Sequence, residues 1–264
     1  MAEFTAKDVQ ALRPSTGAGM MDAERALQEN DGDPAEAAQW LREKGLSKSV
    51  ERAGRANDQG AVAVAGDGSS AAVVELRSET DYVAKSADFK ALADELARAV
   101  AADGEDAAAK RQEQIDNLKI TLKENIDLGR VVRFEAADGA VLDAYLHVQN
   151  ERGVNGVLVE VVGGDAGLAH DIALHVAAMR PEWLSRHEVP AERVDEERKV
   201  LETLTRNEGK PEQAVTKIVE GRLNGWFRDH CLLEQQFVKD PKQTISSLLD
   251  GARLTRFAQV EIGR

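Results

Sequence analysis

Ala71-Ala72-Val73-Val74-Glu75-Leu76 is followed, after three polar residues, by Thr80-Asp81-Tyr82-Val83-Ala84-Lys85-Ser86. The first stretch is an apolar run of strand length, and the pattern after it predicts an amphipathic helix that begins near Ala87. An aromatic ring and a carboxylate therefore stand side by side where a strand ends. Groups of this kind at a strand end either pack within the fold or bind something outside it.

The residues around this junction predict a small sheet covered by helices. Gly60–Ala65 alternates in hydropathy and, with a turn over residues 66–69, predicts a hairpin with the Ala71–Leu76 strand. Two helices follow, the second over roughly residues 105–126, and Val131–Phe134 is predicted as a third strand. The first of these helices has one apolar face, which consists of Phe89, Leu92, Leu96 and Val100.

The same pattern recurs later in the chain. Val141–Val148 and Gly156–Val161 are predicted strands, and a helix follows them. Both Ala72–Leu76 and Val157–Val161 are apolar strands with glutamate in the fourth place. We interpret this as an internal duplication of a small α+β unit. The second copy has no equivalent of Asp81-Tyr82, so a function is expected in the first copy.

The first 50 residues predict a helical module. Thr5 is a suitable N-cap, a Pro- and Gly-rich segment separates the first two helices, and Pro34 opens a third helix that is expected to stop at Gly45. Three short helices in this arrangement resemble the ubiquitin-associated type of bundle, and such modules usually bind another protein. Residues 46–58 are expected to form a linker.

The C-terminal part predicts a helical hairpin and the end of the second sheet. Two charged helices with narrow apolar seams flank Gly209-Lys210-Pro211, which predicts a protruding antiparallel coiled coil. A short helix around Ile245–Leu249 and a strand over Leu254–Ile262 follow. The fold class is therefore α+β, and the predicted domains are 1–50 (helical), 51–138 (core N-subdomain with linker), 139–187 (core C-subdomain, first part), 188–230 (coiled coil) and 231–264 (core C-subdomain, second part).

Composition excludes several classes of function. The formal net charge of −13 argues against non-specific binding to nucleic acid or to an anionic membrane surface, because both depend on lysine and arginine. Cys231 is the single cysteine, so no disulfide can form within the chain, which fits a reducing compartment. No apolar run approaches the ~18 residues of a membrane span. A soluble, cytoplasmic protein is expected.

No catalytic or metal-binding motif emerges. His170 and His175 are five residues apart and do not share a helix face as a metal-binding pair would. Gly17-Ala18-Gly19 follows a helix and lacks the lysine of a phosphate-binding loop. We expect no cofactor and no enzyme activity. Two structural alternatives stay open: Asp81 caps the next helix with Tyr82 packed beneath it, and His175 is a partly buried structural histidine.

Motifs along nearly the whole chain resemble the elongation factor Ts family, and they occur in family order. They are Leu12-Arg13 with Thr16-Gly17-Ala18-Gly19-Met20-Met21-Asp22, then Glu79–Lys85, Ile172–Ala178 with Arg180-Pro181, Gly209-Lys210-Pro211 with Val219–Arg222, and Gln236-Phe237-Val238. The resemblance implies a helical N-terminal domain, a core of two subdomains and a coiled-coil arm. It also implies a guanine-nucleotide exchange factor that binds elongation factor Tu, GDP-bound or nucleotide-free, and speeds GDP release.

The resemblance also assigns partner-binding residues. The family's inserting aromatic corresponds to Tyr82 and enters the GTPase near its Mg²⁺ and nucleotide, with Asp81 beside it. The remaining expected contacts with elongation factor Tu are Thr80, Val83, Arg25, the Asn155-Gly156 turn and His175. Exposed seams on the coiled coil would favour a homodimer or a 2:2 complex.

This sequence departs from the family pattern in three places. Tyr82 replaces the usual phenylalanine, Glu24 stands where a second basic residue is common, and Asn155 replaces an aliphatic residue. A tyrosine hydroxyl left unpaired in an apolar slot would weaken binding by ~1–3 kcal/mol. Two other hypotheses remain: a protein that holds the GTPase without changing nucleotide release, and a small-molecule enzyme.

Overall fold

The structure, a computed structural model, describes residues 4–263, without the side chains of residues 46–48 and 50. The helices within this range are α1 (Ala6–Thr16), α2 (Met20–Glu29), α3 (Pro34–Arg52), α4 (Asp81–Ala84), α5 (Ala87–Asp103), α6 (Asp106–Ala109), α7 (Gln112–Leu122), α8 (Ala166–Met179), α9 (Ala191–Asn207), α10 (Glu212–His230) and α11 (Ile245–Leu248). The strands are β1 (Gln59–Gly66), β2 (Ser70–Ser78), β3 (Asp127–Glu135), β4 (Ala140–Gln149), β5 (Arg152–Val162), β6 (Gln236–Phe237), β7 (Asp240–Thr244) and β8 (Arg253–Glu261). The α+β fold class is confirmed.

Contacts between Cα atoms divide the chain into two compact units. The first takes in the described chain as far as Phe134, together with Leu146–Gly156 and the residues from Val260 on. The second comprises Glu135–Tyr145 and Val157–Gln259. The finer division into five domains stays a prediction.

Helices α1–α3 pack around a small core in the first unit. Its buried members are Val9, Leu12, Ala23, Ala26, Leu27, Ala37 and Leu41. The expected end of α3 at Gly45 is wrong, because the helix continues to Arg52 through most of the predicted linker. A Cβ atom on Gly45 would lie 2.6 Å from Ile120 Cγ2 on α7. Glycine at this position therefore permits close approach between helices rather than ending one.

Strands β1, β2 and β3 form a sheet in that order, and α5 covers it. Strands β1 and β2 are antiparallel, with Gln59 opposite Ser78 and Gly66 opposite Ala71. The helix predicted over residues 105–126 is two helices, α6 and α7, separated at Lys110 and Arg111. The predicted apolar face of α5 is buried against the sheet, as the periodicity of its leucines and valine indicates.

Strands β4, β5 and β8 form the second three-stranded sheet, and the final strand closes it as expected. The core beside α8 includes Val157, Val159, Ile172, Val176 and Ile245, all fully buried. The sequence did not predict the hairpin of β6 and β7, because its strands are short and mostly polar.

Each of the two three-stranded sheets has a buried carboxylate on its central strand. On β2, Glu75 is 2% exposed, pairs with Arg77 at 3.0 Å and accepts a hydrogen bond from the Arg130 backbone N–H on β3. Glu160 on β5 is 3% exposed and lies at the corresponding place in the second sheet. The structural repetition supports the duplication inferred from the sequence.

Glu160 has its own set of donors. Arg256 Nη2 lies 2.7 Å from one carboxylate oxygen, and the Thr255 hydroxyl donates to the other at 2.5 Å. Burial alone would raise the pKa of Glu160, but the hydrogen bonds from these two residues and from the Ala137 N–H lower it below its usual value. The carboxylate therefore stays ionised inside the sheet and links β5 to β8.

Helices α9 and α10 form an antiparallel pair. Arg206 pairs with Glu212 beside the connecting turn, and Arg198 pairs with Glu220 further from it. The seam between the helices buries Thr205, Val215, Val219 and Leu223. Val200 and Leu204 on α9 are 60% and 47% exposed, so part of the apolar surface of the hairpin faces water.

Cys231 lies at the end of α10 and is fully buried. Burial raises the pKa of its thiol to about 11, so the thiol stays protonated at neutral pH and is a poor nucleophile. Of the helices in the described part of the chain, none is both long enough and apolar enough to cross a bilayer.

Candidate functional site

The junction segment, defined as Glu79–Lys85, leaves β2 and leads into α5. Two helix caps in succession shape it. The Thr80 hydroxyl accepts a hydrogen bond from the Val83 N–H at 3.3 Å and starts α4, and the Ser86 hydroxyl accepts from the Phe89 N–H at 3.4 Å and starts α5. The segment therefore forms a single helical turn that is held separately from the long helix after it.

Tyr82 projects from this turn into solvent. Its exposed fraction is 82%, whereas the next two residues, Val83 and Ala84, are 6% and 0% exposed. The structural alternative is therefore wrong for both junction residues: Tyr82 does not pack beneath α5, and the cap of α5 is Ser86 rather than Asp81. The turn anchors its apolar side and offers its aromatic ring to a partner.

Asp81 adds a negative charge beside the ring. Its carboxylate is about half exposed and pairs with Lys85 one turn later. The hydrogen bond from Lys85, helped by the charge of that lysine, lowers the pKa of Asp81 below its usual value. The site at neutral pH thus presents an aromatic ring next to an ionised carboxylate and an ammonium group.

Arg25 lies on α2 within the helical bundle. Its side chain is 63% exposed and lies 3.8 Å from Glu29. At the start of the same helix Met21 is 83% exposed and Met20 is 49% exposed. Both methionines belong to the N-terminal motif that resembles the family, but their exposure was not predicted. A sequence signal existed for Met21, because the residues three, four and seven positions after it are the polar Glu24, Arg25 and Gln28. Met20 gave no such signal, since it is in register with the buried Ala23 and Leu27.

Asn155 and Gly156 occupy the middle of β5 rather than a turn, which corrects the description based on the sequence. The turn nearby is at Asn150 and Glu151, where φ is positive. Asn155 is 2% exposed, and a Cβ atom on Gly156 would lie 2.6 Å from Val73 Cγ2. Both residues are buried in the first unit, so any effect on a partner would act through packing.

His175 lies on α8 in the second unit and is fully buried. Its Nδ1 atom accepts a hydrogen bond from the Val238 N–H at 3.2 Å, and its Nε2 atom lies 2.9 Å from Gln235 Oε1. The ring is therefore neutral with its proton on Nε2. The junction residues Thr80–Val83 cluster together, whereas Arg25 lies in the bundle and His175 in the other unit.

The burial of His175 leads us to expect that the fold loses stability in acid. Burial lowers the pKa of His175 from the ordinary value of 6.5, outweighing the opposite effect of the hydrogen bond that the ring donates to Gln235. Because the unfolded chain then binds the proton more tightly, stability is fully present above pH 6.5 and is lost as pH falls towards the lowered pKa. Urea unfolding at about pH 7.5 and about pH 5.5 measures this loss.

The matched control is His175→Phe, which has no titrating ring at this position. We expect the free energy of unfolding to fall more between the two pH values for the unmodified chain than for the variant, since the other titrating groups are common to both. Equal losses in the two proteins would contradict this explanation.

Comparisons with known proteins agree with these observations. Residues 79–264 match the family model described as Elongation factor TS. The chain is 47% identical to Elongation factor Ts of Mycobacterium tuberculosis (strain ATCC 25177 / H37Ra), 46% to that of Nocardioides sp. (strain ATCC BAA-499 / JS614) and 45% to that of Mycobacterium avium (strain 104). Each alignment covers 100% of both chains. The chain therefore belongs to the elongation factor Ts family, whose members are guanine-nucleotide exchange factors for elongation factor Tu.

Proposed function

We propose that the junction segment is the part of this exchange factor that drives GDP out of elongation factor Tu. The observation that carries the proposal is the exposure of Tyr82, 82%, on a turn whose next two residues are buried. A large aromatic held on an anchored turn has little conformational freedom to lose when it enters a pocket. Tyr82 is thus suited to insert near the Mg²⁺ and nucleotide of the GTPase.

The other junction residues have distinct roles in this proposal. Thr80 caps the turn, Val83 anchors it from beneath, and Asp81 places its ionised carboxylate beside the inserted ring. In the free protein the charge of Asp81 is offset by Lys85; if docking separates the two, the carboxylate disfavours the phosphates of GDP by like-charge repulsion. The ring and the charge therefore act in the same direction.

Residues outside the junction contribute in two ways. Arg25, together with the exposed Met21, offers a second contact on the helical bundle. Asn155, Gly156 and His175 are buried in the free protein. We infer that these three influence binding by fixing the backbone around them rather than by direct contact.

The proposed mechanism needs no bond to be broken. If the exchange factor weakens GDP binding by some factor, GDP weakens binding of the exchange factor by the same factor. Incoming nucleotide then displaces the protein, which is free to act again. We infer that it is not an enzyme in the bond-breaking sense, needs no cofactor, contacts neither nucleic acid nor membrane, and works in the cytoplasm, where translation takes place.

We also infer that the α9–α10 hairpin supports a homodimer or a 2:2 complex. Val200 and Leu204 are one helical turn apart and largely exposed, and two hairpins that share such patches would remove them from water. Sedimentation of the free protein and of its complex, with Val200→Lys as the comparison, tests this inference. A monomeric protein in a 1:1 complex would contradict it.

Stopped-flow release of a fluorescent GDP analogue from elongation factor Tu tests the exchange mechanism. We expect the rate of release to rise with the concentration of this protein until it reaches a plateau. Binding without faster release would favour a protein that only holds the GTPase. A thermal shift with a small metabolite but not with the GTPase would favour the enzyme hypothesis.

A further inference from the structure

Glu124 holds the junction segment from outside it. This residue lies just after α7, and one of its carboxylate oxygens accepts hydrogen bonds from the backbone N–H groups of Glu79 and Thr80, both at 3.1 Å. The other oxygen accepts from the Thr80 hydroxyl at 2.5 Å. A single side chain therefore binds all three donors that the first two residues of the segment offer.

The Thr80 hydroxyl connects Glu124 to the turn itself. It donates to Glu124 and accepts from the Val83 N–H at 3.3 Å, so the carboxylate fixes the direction of the hydroxyl that caps α4. The cap lies two residues before Tyr82. Glu124, just after the end of α7, thus helps to fix the orientation of the turn that carries the exposed ring.

The contact is reciprocal. The Glu79 carboxylate accepts a hydrogen bond from the Asn125 N–H at 2.7 Å, while Asn125 donates through its side chain to the Arg55 carbonyl at 2.8 Å. Asn125 is 5% exposed. Residues 79–80 and residues 124–125 are therefore joined by hydrogen bonds from backbone N–H groups to carboxylates in both directions. Asn125, on one side of this contact, is itself buried.

Helix α4 depends on such outside support. It has 4 residues, far fewer than an isolated helix needs to persist in water. Its buried side is anchored by Val83 and Ala84, and the N-cap Thr80 fixes its first turn. Glu124 is only partly buried and stands apart from the apolar core, so its loss would loosen the turn without removing core packing.

We propose that Glu124 is a positioning residue for nucleotide exchange, which holds the turn so that Tyr82 is already oriented for insertion. The inference rests on the proposed function of Tyr82. A ring that must first be ordered enters the partner less readily, and misplacement of a reacting group by about 1 Å can cost ~100-fold in rate. The effect should appear in the insertion step rather than in the first encounter.

The first test is the rate of GDP release with Glu124→Ala. We expect the plateau rate to fall by about tenfold, while the concentration that gives half the plateau changes by less than about twofold. Glu124→Gln keeps an acceptor oxygen and should restore part of the rate. Glu95→Ala is the matched control and should leave release unchanged. It removes a carboxylate that joins α5 to Gln114 on α7 and to Arg111, the residue before that helix.

The second test asks whether Glu124 acts through Tyr82. In a chain that already carries Tyr82→Ala, adding Glu124→Ala should slow release by less than about twofold, because the group being positioned is gone. Two independent, multiplying effects would overturn the proposal, since they would mean that Glu124 acts elsewhere.

Hydrogen exchange in the free protein provides a measurement that does not depend on elongation factor Tu. The amides of Thr80 and Val83 should exchange at least about tenfold faster in Glu124→Ala than in the unmodified chain. Unchanged protection overturns the inference.

If Tyr82→Ala slows GDP release and Glu124→Ala does not, the inference fails alone. If Tyr82→Ala leaves release unchanged, the proposed function and the inference fail together.

Discussion

Replacing Tyr82 by alanine should slow the stimulated release of GDP by about 30-fold, which corresponds to a binding hot spot of about 2 kcal/mol. The fold should be unaffected, because Tyr82 is 82% exposed and truncating an exposed side chain usually changes stability by less than about 0.5 kcal/mol. Stopped-flow release measures the first effect, and thermal unfolding followed by circular dichroism measures the second.

Two variants control this experiment. Tyr82→Phe keeps the ring and should stay within about threefold of the unmodified rate, with a gain if the partner leaves the hydroxyl unpaired. Val148→Ala truncates another exposed apolar residue of the first unit, 58% exposed, and should leave release unchanged. A normal rate with Tyr82→Ala would rule out insertion of the ring as the cause of exchange.

Replacing Phe89 by alanine should lower the free energy of unfolding by about 3–5 kcal/mol. The ring is fully buried in the first turn of α5, where it belongs to the core beneath that helix and beside the buried end of α4. Since most domains are stable by only ~5–15 kcal/mol, a large part of the margin would be lost. Urea unfolding measures the change.

Phe89→Leu shows how much of the effect comes from the cavity. Leucine fills most of the space of the ring, so this variant should lower the free energy of unfolding by less than Phe89→Ala does. Exchange activity should fall with Phe89→Ala only in proportion to the unfolded fraction, and an added osmolyte should restore it. The defect of Tyr82→Ala should resist the same treatment. An unfolding free energy within about 1 kcal/mol of the unmodified chain would contradict the packing argument.

The elements that the sequence predicted well are those whose apolar residues repeat with a clear period. Helix α5 is an example, since Leu96 and Val100 fall on the buried face that the periodicity indicates. Strand β2 was predicted from its continuous apolar run, which fits a strand that is buried on both faces. The fourth-place glutamates also identified the duplicated sheets. Gly45 misled the prediction because glycine ends helices and also allows helices to approach closely, and only the position of Ile120 decides between the two.

The residues of the candidate site could be predicted from the sequence, but the hydrogen bonds that hold them in place could not. Adjacent aromatic and acidic side chains at a strand end drew attention to Asp81 and Tyr82. Thr80 and Glu124, however, are 44 positions apart, and no local pattern links them. Burial of His175 was foreseen only in part, and burial of Asn155 was not foreseen, because polar residues are usually exposed and each depends on partners that tertiary structure supplies.

The duplicated sheets also suggest how a new property can be added to an old framework. In the first copy the central strand reaches α5 by way of the junction segment, whereas in the second copy Gly163, Gly164 and Asp165 lead directly from β5 into α8. One copy thus carries an elaborated connection while its sister keeps a plain one. The plain connection is also a constrained one, because a Cβ atom on Gly164 would lie 2.8 Å from Val161 Cγ1 and Gly163 has a positive φ of 77°. Recognition could therefore evolve in the first copy, whereas the second copy is held to a short glycine-dependent link.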